Sequence, residues 1–209
     1  LAVLPDMTRE VIGIYNAPTE SAGYWDEICL DLKKRGLKQV DLFVTDNLTE
    51  LDSAIERHFD SAIQKCVLHL KRSILRKTKK QHRSELVEDL ATIFQLDNRE
   101  DTRENLYLRA QHTSEKWCKR YPDLIKLSDP DFMSYYATYL EFEYEIRNMI
   151  DTTNWIERLN KAFKRTLKIR NSMPSVESVL TLLSKVAIDI NSSTYQYPVS
   201  RLSKSHLFN

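Results

Sequence analysis

VDLFVTD, residues 40–46, is the stretch on which the fold turns. Val40, Leu42 and Val44 share one face of an extended chain, and Phe43 makes the opposite face apolar as well, because successive side chains of a strand point to opposite faces. A run apolar on both faces predicts a buried interior strand. Asp46 ends it. Upstream, residues 19–35 set Trp25, Ile28, Cys29 and Leu32 at helical spacing, with Ser21 near the start and Gly36 where a C-terminal cap belongs. Further upstream, residues 1–4 and 10–15 are apolar runs separated by PDMTR, which predicts a hairpin. Strand, helix and buried strand together predict an α/β layer, in which polar site residues gather at the carboxyl ends of central strands. Asp46 occupies such an end. An acid continuing the inward parity of a buried strand must be paired, bound to metal or at the mouth of a site. The TDN sequence equally suits an ordinary turn, and both readings stay open on the residues alone.

Downstream, a short helix through Leu51, Ala54 and Ile55 precedes AIQKCVLHL, a strand turning into a helix. From Lys71 to about Met149 the pattern is helical, through LVEDLATIF, NLYLRA with KWCKRY, and DFMSYYATYLEF, with Pro122 and Pro130 at helix junctions. Two further helices, Trp155 to about Arg170 and Ser175 to Asn191, flank a break at NSMP. Three glycines in 209 residues argue against a phosphate-cradling glycine loop.

A chain of this length can bury a real core, and 42% hydrophobic with 29% charged residues reads as globular. The net charge of +1 excludes nothing about a polyanionic partner, so only local clustering is informative. Cys29, Cys66 and Cys118 form an odd, widely spaced set that fits reduced thiols in a cytosolic protein. No apolar run reaches membrane-spanning length and no signal-peptide pattern opens the chain. Because Leu1 is not an initiator methionine, the sequence reads as a piece of something longer.

Three features carry candidate chemistry. Glu157, in TTNWIERLN (residues 152–160), falls three residues after Asn154 as a capping box would place it, with Lys161 one turn on as an ion-pair partner. Spacing alone favours that structural role. Ile156, Leu159, Phe163 and Leu167 form the apolar stripe of the same helix, which leaves Glu157 on the face of Lys161, Lys164 and Lys168. Cys66 and His69, in KCVLHLKR, have a zinc-compatible spacing but no second pair to close a structural site, so a buried thiol and a satisfied histidine are the favoured reading. Two basic clusters stand out: Lys65, Lys71, Arg72, Arg76, Lys77, Lys79, Lys80 and Arg83, and then Arg158, Lys161, Lys164, Arg165, Lys168 and Arg170. Acids are scarce within both clusters, so a nearly neutral chain is polarised and a phosphate backbone is a natural partner.

ESAGYW, VDLFVTDNL, the Cys66-x-x-His69 element, KRYPDL and IDTTNWIERLN, in that order, resemble the Mutator-type transposases of bacterial insertion sequences, from Ile12 to about Asn191. The resemblance implies an α/β, ribonuclease H-like core with a large all-helical insertion. Residues 1–70 would form the first part of the core, 71–149 the insertion, and 150–209 the helices completing the core. It implies a DDE-type enzyme that cuts and joins DNA at insertion-sequence ends with two Mg2+ or Mn2+ ions. Carried over by motif, the second Asp falls on Asp46 and the Glu on Glu157, both as metal ligands. The first Asp is expected on a strand upstream of Leu1, since Asp6 sits in a hairpin turn after Pro5. Cys66 and His69 are placed near the site, ordering the strand beside Asp46. Arg158, Lys161, Lys164, Arg165, Lys168 and Arg170 would grip double-stranded DNA, both terminal repeats and target.

A homo-oligomer in the bacterial cytoplasm, with no membrane partner, is also implied. The sequence departs from the family pattern at TDN, where an Asp-Gly turn is usual, at Trp155 and Arg158, and at SSTYQYP. One alternative is a truncated, inactive transposase acting only as a DNA-binding or assembly module. Another is a purely helical interaction protein, which requires that residues 1–66 form no sheet.

Overall fold

The computed structural model describes residues 1–16, 21–170 and 173–199. It is mostly helical, with two small sheets that fit the α/β expectation. The first is a hairpin of β1 (Ala2–Val3) and β2 (Arg9–Glu10). Asp6 organises its turn, accepting from the Thr8 backbone N–H at 3.0 Å and the Thr8 hydroxyl at 2.6 Å. Its carboxylate is thus engaged by its own turn. The second strand is shorter than the apolar run predicts. Val11 and Ile14 leave the hairpin to pack on the C-terminal helices, and the Val11 N–H donates to Asn191 Oδ1 at 2.9 Å.

Helix α1 (Ala22–Lys34) starts after Ser21; Thr19 and Glu20, part of the predicted helix and of the ESAGYW motif, lie outside the described residues. Its end is a Schellman motif. Gly36, at φ 104°, donates to the Lys33 carbonyl, and Leu37 donates to the Leu32 carbonyl, both at 3.0 Å. The chain then enters β3 (Leu42–Thr45), helix α2 (Thr49–His58) and β4 (Ala62–Lys65), which pairs in parallel with β3 from Leu42↔Ala62 to Thr45↔Lys65. Parallel pairing requires the crossover that α2 supplies. Phe43 packs with Phe59 in a small core completed by Cys29, Ala54, Trp25, Leu37 and Val40.

The expectation of an interior strand needs correction. Among the described residues β3 pairs only with β4. Leu42, Phe43 and Val44 are only partly buried, and an apolar pattern on two faces carries no information on how many neighbours share a strand's hydrogen bonds.

Helix α3 (Val67–Lys77) leaves β4 directly and contributes Val67, Leu70 and Ile74 to the largest core. That core continues through α4 (Arg83–Ile93), α5 (Arg103–Trp117), α6 (Pro130–Ala137), the segment after it and α7 (Tyr144–Ile150). Pro122 and Pro130 each begin a helical segment, where a missing N–H costs nothing. The helical block is bound to the sheet through fully buried Gln64. Its amide donates to the Tyr136 carbonyl at 3.3 Å and accepts from the Tyr139 N–H at 2.7 Å, while the Thr138 hydroxyl donates to the Ile63 carbonyl at 2.8 Å. These bonds use backbone groups beside β4 that water would otherwise have to satisfy.

Helices α8 (Asn154–Arg170) and α9 (Val176–Ile190) form the third core around Leu159, Phe163, Leu183 and Ala187. Ile156 and Leu167 pack against it, so the predicted stripe is the buried one. Ser175 caps α9 by accepting from the Ser178 N–H at 3.2 Å. Within the NSMP break, Asn171 and Ser172 lie outside the described residues.

Candidate active site

Cys66 joins three pieces of backbone. Its N–H donates to the Thr45 carbonyl at 2.8 Å, extending the β3–β4 ladder by one rung. Its Sγ accepts from the Thr153 N–H at 3.4 Å and lies 3.5 Å from the Thr153 hydroxyl oxygen. The next residue, Val67, donates its N–H to the Asp151 carbonyl at 2.9 Å. The carboxyl end of β3, the start of α3 and the start of α8 therefore meet at one buried thiol, 1% exposed.

This junction assembles the polar site. Asp46 follows β3, and its carbonyl closes a turn by accepting from the Leu48 N–H at 2.9 Å. The turn reading of TDN is thus correct for the backbone. The carboxylate does something else: Oδ1 accepts from Thr153 Oγ1 at 2.9 Å and lies 2.8 Å from His69 Nδ1. On the other side of the same imidazole, His69 Nε2 is 3.5 Å from Glu157 Oε1, which also accepts from Arg72 Nη1 at 2.8 Å. Asp46 and Glu157, 111 positions apart, thus flank one histidine. Asp46 Oδ2 and Glu157 Oε2 have no hydrogen-bond partner among the described residues. The Asp46 and Glu157 side chains are 45% and 23% exposed, so both are open to solvent and to a ligand.

The capping box expected at α8 does not form. Asn154 is already helical, and the Glu157 N–H bonds to the Thr153 carbonyl at 2.9 Å, which puts Thr153 in the cap position. The Thr153 hydroxyl is turned toward Asp46 and Cys66, and the Glu157 carboxylate toward Arg72. Nor does Glu157 pair with Lys161, because Arg72 from α3 reaches the carboxylate first. Thr153 and Arg72 are the site residues that motif reading missed. Their signals were present: Thr153 ends the polar TTN approach to α8, and Arg72 follows Cys66 and His69 at the helical interval of three.

Beside the site, burial pushes the Asp151 carboxyl up to about 6, with Lys71 opposing the shift. Burial in turn lowers the Lys71 ammonium, which lies 5.2 Å from the Phe94 ring centre.

The two basic clusters fare differently. In the first, Lys65 is buried and ion-paired with Asp52 at 2.8 Å, Lys71 is half-buried, Arg72 holds Glu157, and Lys77 holds Asp123 at 2.5 Å. Those four are engaged elsewhere in the fold, while Arg76, Lys79, Lys80 and Arg83 are exposed. In the second, Arg158, Lys161, Lys164, Arg165, Lys168 and Arg170 are all exposed, and none has an acidic partner among the described residues. They follow Glu157 along the solvent side of α8.

The model of the family described as "Transposase, Mutator family" matches residues 1–197. The chain belongs to the Mutator family of transposases. It is 30% identical over 200 residues to the transposase for an insertion sequence element of Lactobacillus helveticus, covering 94% of this chain and 51% of that protein. It is 29% identical over 193 residues to one from Lactococcus lactis subsp. lactis, covering 91% of this chain and 48% of the relative. A third, from Rhizobium meliloti, is 30% identical over 186 residues, covering 88% and 45%. This Mutator-family chain spans about half the length of the curated relatives it matches. No helix among its described residues is long and apolar enough to cross a membrane.

Proposed function

We propose that this chain is the catalytic portion of a DNA transposase, cutting and joining DNA at insertion-sequence ends with divalent-metal assistance, and that Asp46 and Glu157 are its carboxylate ligands. The carrying observation is the convergence of these two acids, from the end of β3 and the first turn of α8, on opposite sides of His69. The donor set fits a hard ion such as Mg2+ or Mn2+. Each carboxylate is solvent-accessible and keeps one oxygen without a hydrogen bond, and hard cations prefer carboxylate oxygen. When bound, such ions supply Lewis-acid activation of the attacking hydroxyl and stabilisation of the leaving oxygen.

The chain's own residues do the rest. Thr153 fixes the Asp46 carboxylate through a 2.9 Å hydrogen bond, and Cys66 ties that threonine to the end of the sheet. Arg72 neutralises Glu157 and places a guanidinium, 54% exposed, at the edge of the site where a phosphodiester would enter. The cations of α8 would hold the flanking phosphates. A ribonuclease H-like core, with its remaining strands and first Asp contributed from outside these residues, is part of the same proposal, as is assembly into a homo-oligomer.

One observation favours a second reading, a DNA-binding or assembly module without cleavage. In this structure one oxygen of each carboxylate is already engaged, Asp46 Oδ1 by Thr153 and His69 and Glu157 Oε1 by Arg72. The two readings separate in a Mg2+- or Mn2+-dependent nicking assay on terminal-repeat DNA with the full-length protein. The catalytic reading predicts nicks that vanish with Asp46→Ala or Glu157→Ala while binding persists; the module predicts binding and no nicks.

A further inference from the structure

Asp46, Cys66 and His69 offer one ligand atom each, a carboxylate oxygen, a thiol sulfur and an imidazole nitrogen, all within 4.8 Å of one another. The three surround a single point. Thr153 Oγ1 occupies it, at 2.9 Å from Asp46 Oδ1, 3.4 Å from His69 Nδ1 and 3.5 Å from Cys66 Sγ. We propose that these three residues form a binding site for a thiophilic divalent cation, Zn2+ in chemical class, distinct in its ligand set from the hard-ion site proposed above. The inference rests on that earlier reading only in sharing Asp46.

The chemistry of the donors carries the assignment. Sulfur and imidazole nitrogen are poor ligands for Mg2+ and good ones for Zn2+, which takes Cys, His and Asp at about 2.0–2.3 Å. Three protein ligands leave a fourth position for water, the pattern of an open zinc site. Cys66 is fixed by its place in the β3–β4 ladder, and His69 lies one helical turn along α3, so two ligands are held by rigid backbone. The third ligand, Asp46, stands at the solvent side and gives the ion its entry path. Glu157, 3.5 Å from His69 Nε2, is placed to accept from the distal ring nitrogen and to orient the imidazole, the usual partner of a metal-bound histidine. On binding, the Cys66 thiol loses its proton to solvent, a sulfur–zinc bond forms, and the Thr153 side chain rotates its hydroxyl out of the centre. Asp46 then serves one kind of ion at a time.

The test is a titration of the chain, without DNA, using Co2+ as a spectroscopic substitute for Zn2+. A thiolate-to-cobalt charge-transfer band should grow to one equivalent and be abolished by one equivalent of Zn2+, while Mg2+ in large excess leaves it unchanged. Cys66→Ser should remove the band and His69→Ala weaken binding by about 100-fold or more, whereas Cys29→Ser and Cys118→Ser keep it. A band that survives Cys66→Ser, or wild-type protein that binds no Co2+, overturns the site. X-ray absorption of the wild-type zinc complex needs no variant to fold: a shell with one sulfur and at least one imidazole supports the site, and a sulfur-free shell overturns it. Because neither measurement involves DNA, a failure here leaves the cleavage reading standing, and a failure of cleavage leaves the zinc site standing.

Discussion

Lys65 belongs by composition to a basic cluster, yet it is buried between Asp52, at 2.8 Å, and the ring of Tyr135, at 4.5 Å. Its charge serves the fold. Lys65→Met would leave the Asp52 carboxylate buried without its countercharge, held by the Thr45 hydroxyl alone, and the expected cost is about 3–5 kcal/mol, read as a fall in the denaturant midpoint. Asp151 makes the opposite kind of statement. Burial holds its carboxyl at about 6 against an ordinary 3.8, so between those values the folded chain keeps a proton that the unfolded chain releases. Its contribution to stability is full below about pH 4 and is lost as pH rises through 6, a loss of at most about 3 kcal/mol. The stability difference between wild type and Asp151→Asn, followed from pH 4 to 7, should change in that window and be flat above it. Neither role is visible in sequence, because burial of one charged residue depends on elements distant along the chain. Asp46 was legible as a candidate from its place at the end of an apolar strand, and Glu157 through its motif. That His69 stands between them, and that Thr153 and Arg72 hold them, required the fold.

Elements were more legible than tertiary partners. The stripe Ile156, Leu159, Phe163 and Leu167 is the face of α8 that packs on α9, and its complement is the exposed cationic face. Gly36 was expected at a cap and closes α1 at φ 104°, a backbone state that costs an L side chain about 1 kcal/mol. Gly36→Ala should lower stability by about that amount, measured by thermal or denaturant unfolding. What misled was local pattern read without the elements packed against it. The Asn154–Glu157 spacing of a capping box is real in sequence, but a threonine one position earlier takes the cap and Arg72 takes the carboxylate. The exposed face of α8 gives the DNA reading its sharpest element-scale test. Lys164→Ala and Lys168→Ala should each weaken duplex binding and reduce the slope of log affinity against log salt by about 0.9 for each phosphate the protein no longer neutralises. Unchanged slopes would place the DNA elsewhere.

At the scale of the molecule, β3, α3 and α8 each belong to a different core, and the candidate site lies where these three elements join. The α/β character and the long helical middle were legible from periodicity. The small extent of the sheet was not, because apolar parity does not count strands. Family membership rests on a match across residues 1–197, while the relatives run to about twice this chain's length. The most direct test of the central claim, that Asp46 and Glu157 act together on DNA, is metal-dependent nicking of terminal-repeat DNA by the full-length protein carrying Asp46→Ala or Glu157→Ala. The account predicts that each change abolishes nicking while DNA binding is retained; nicking that survives either substitution would contradict it.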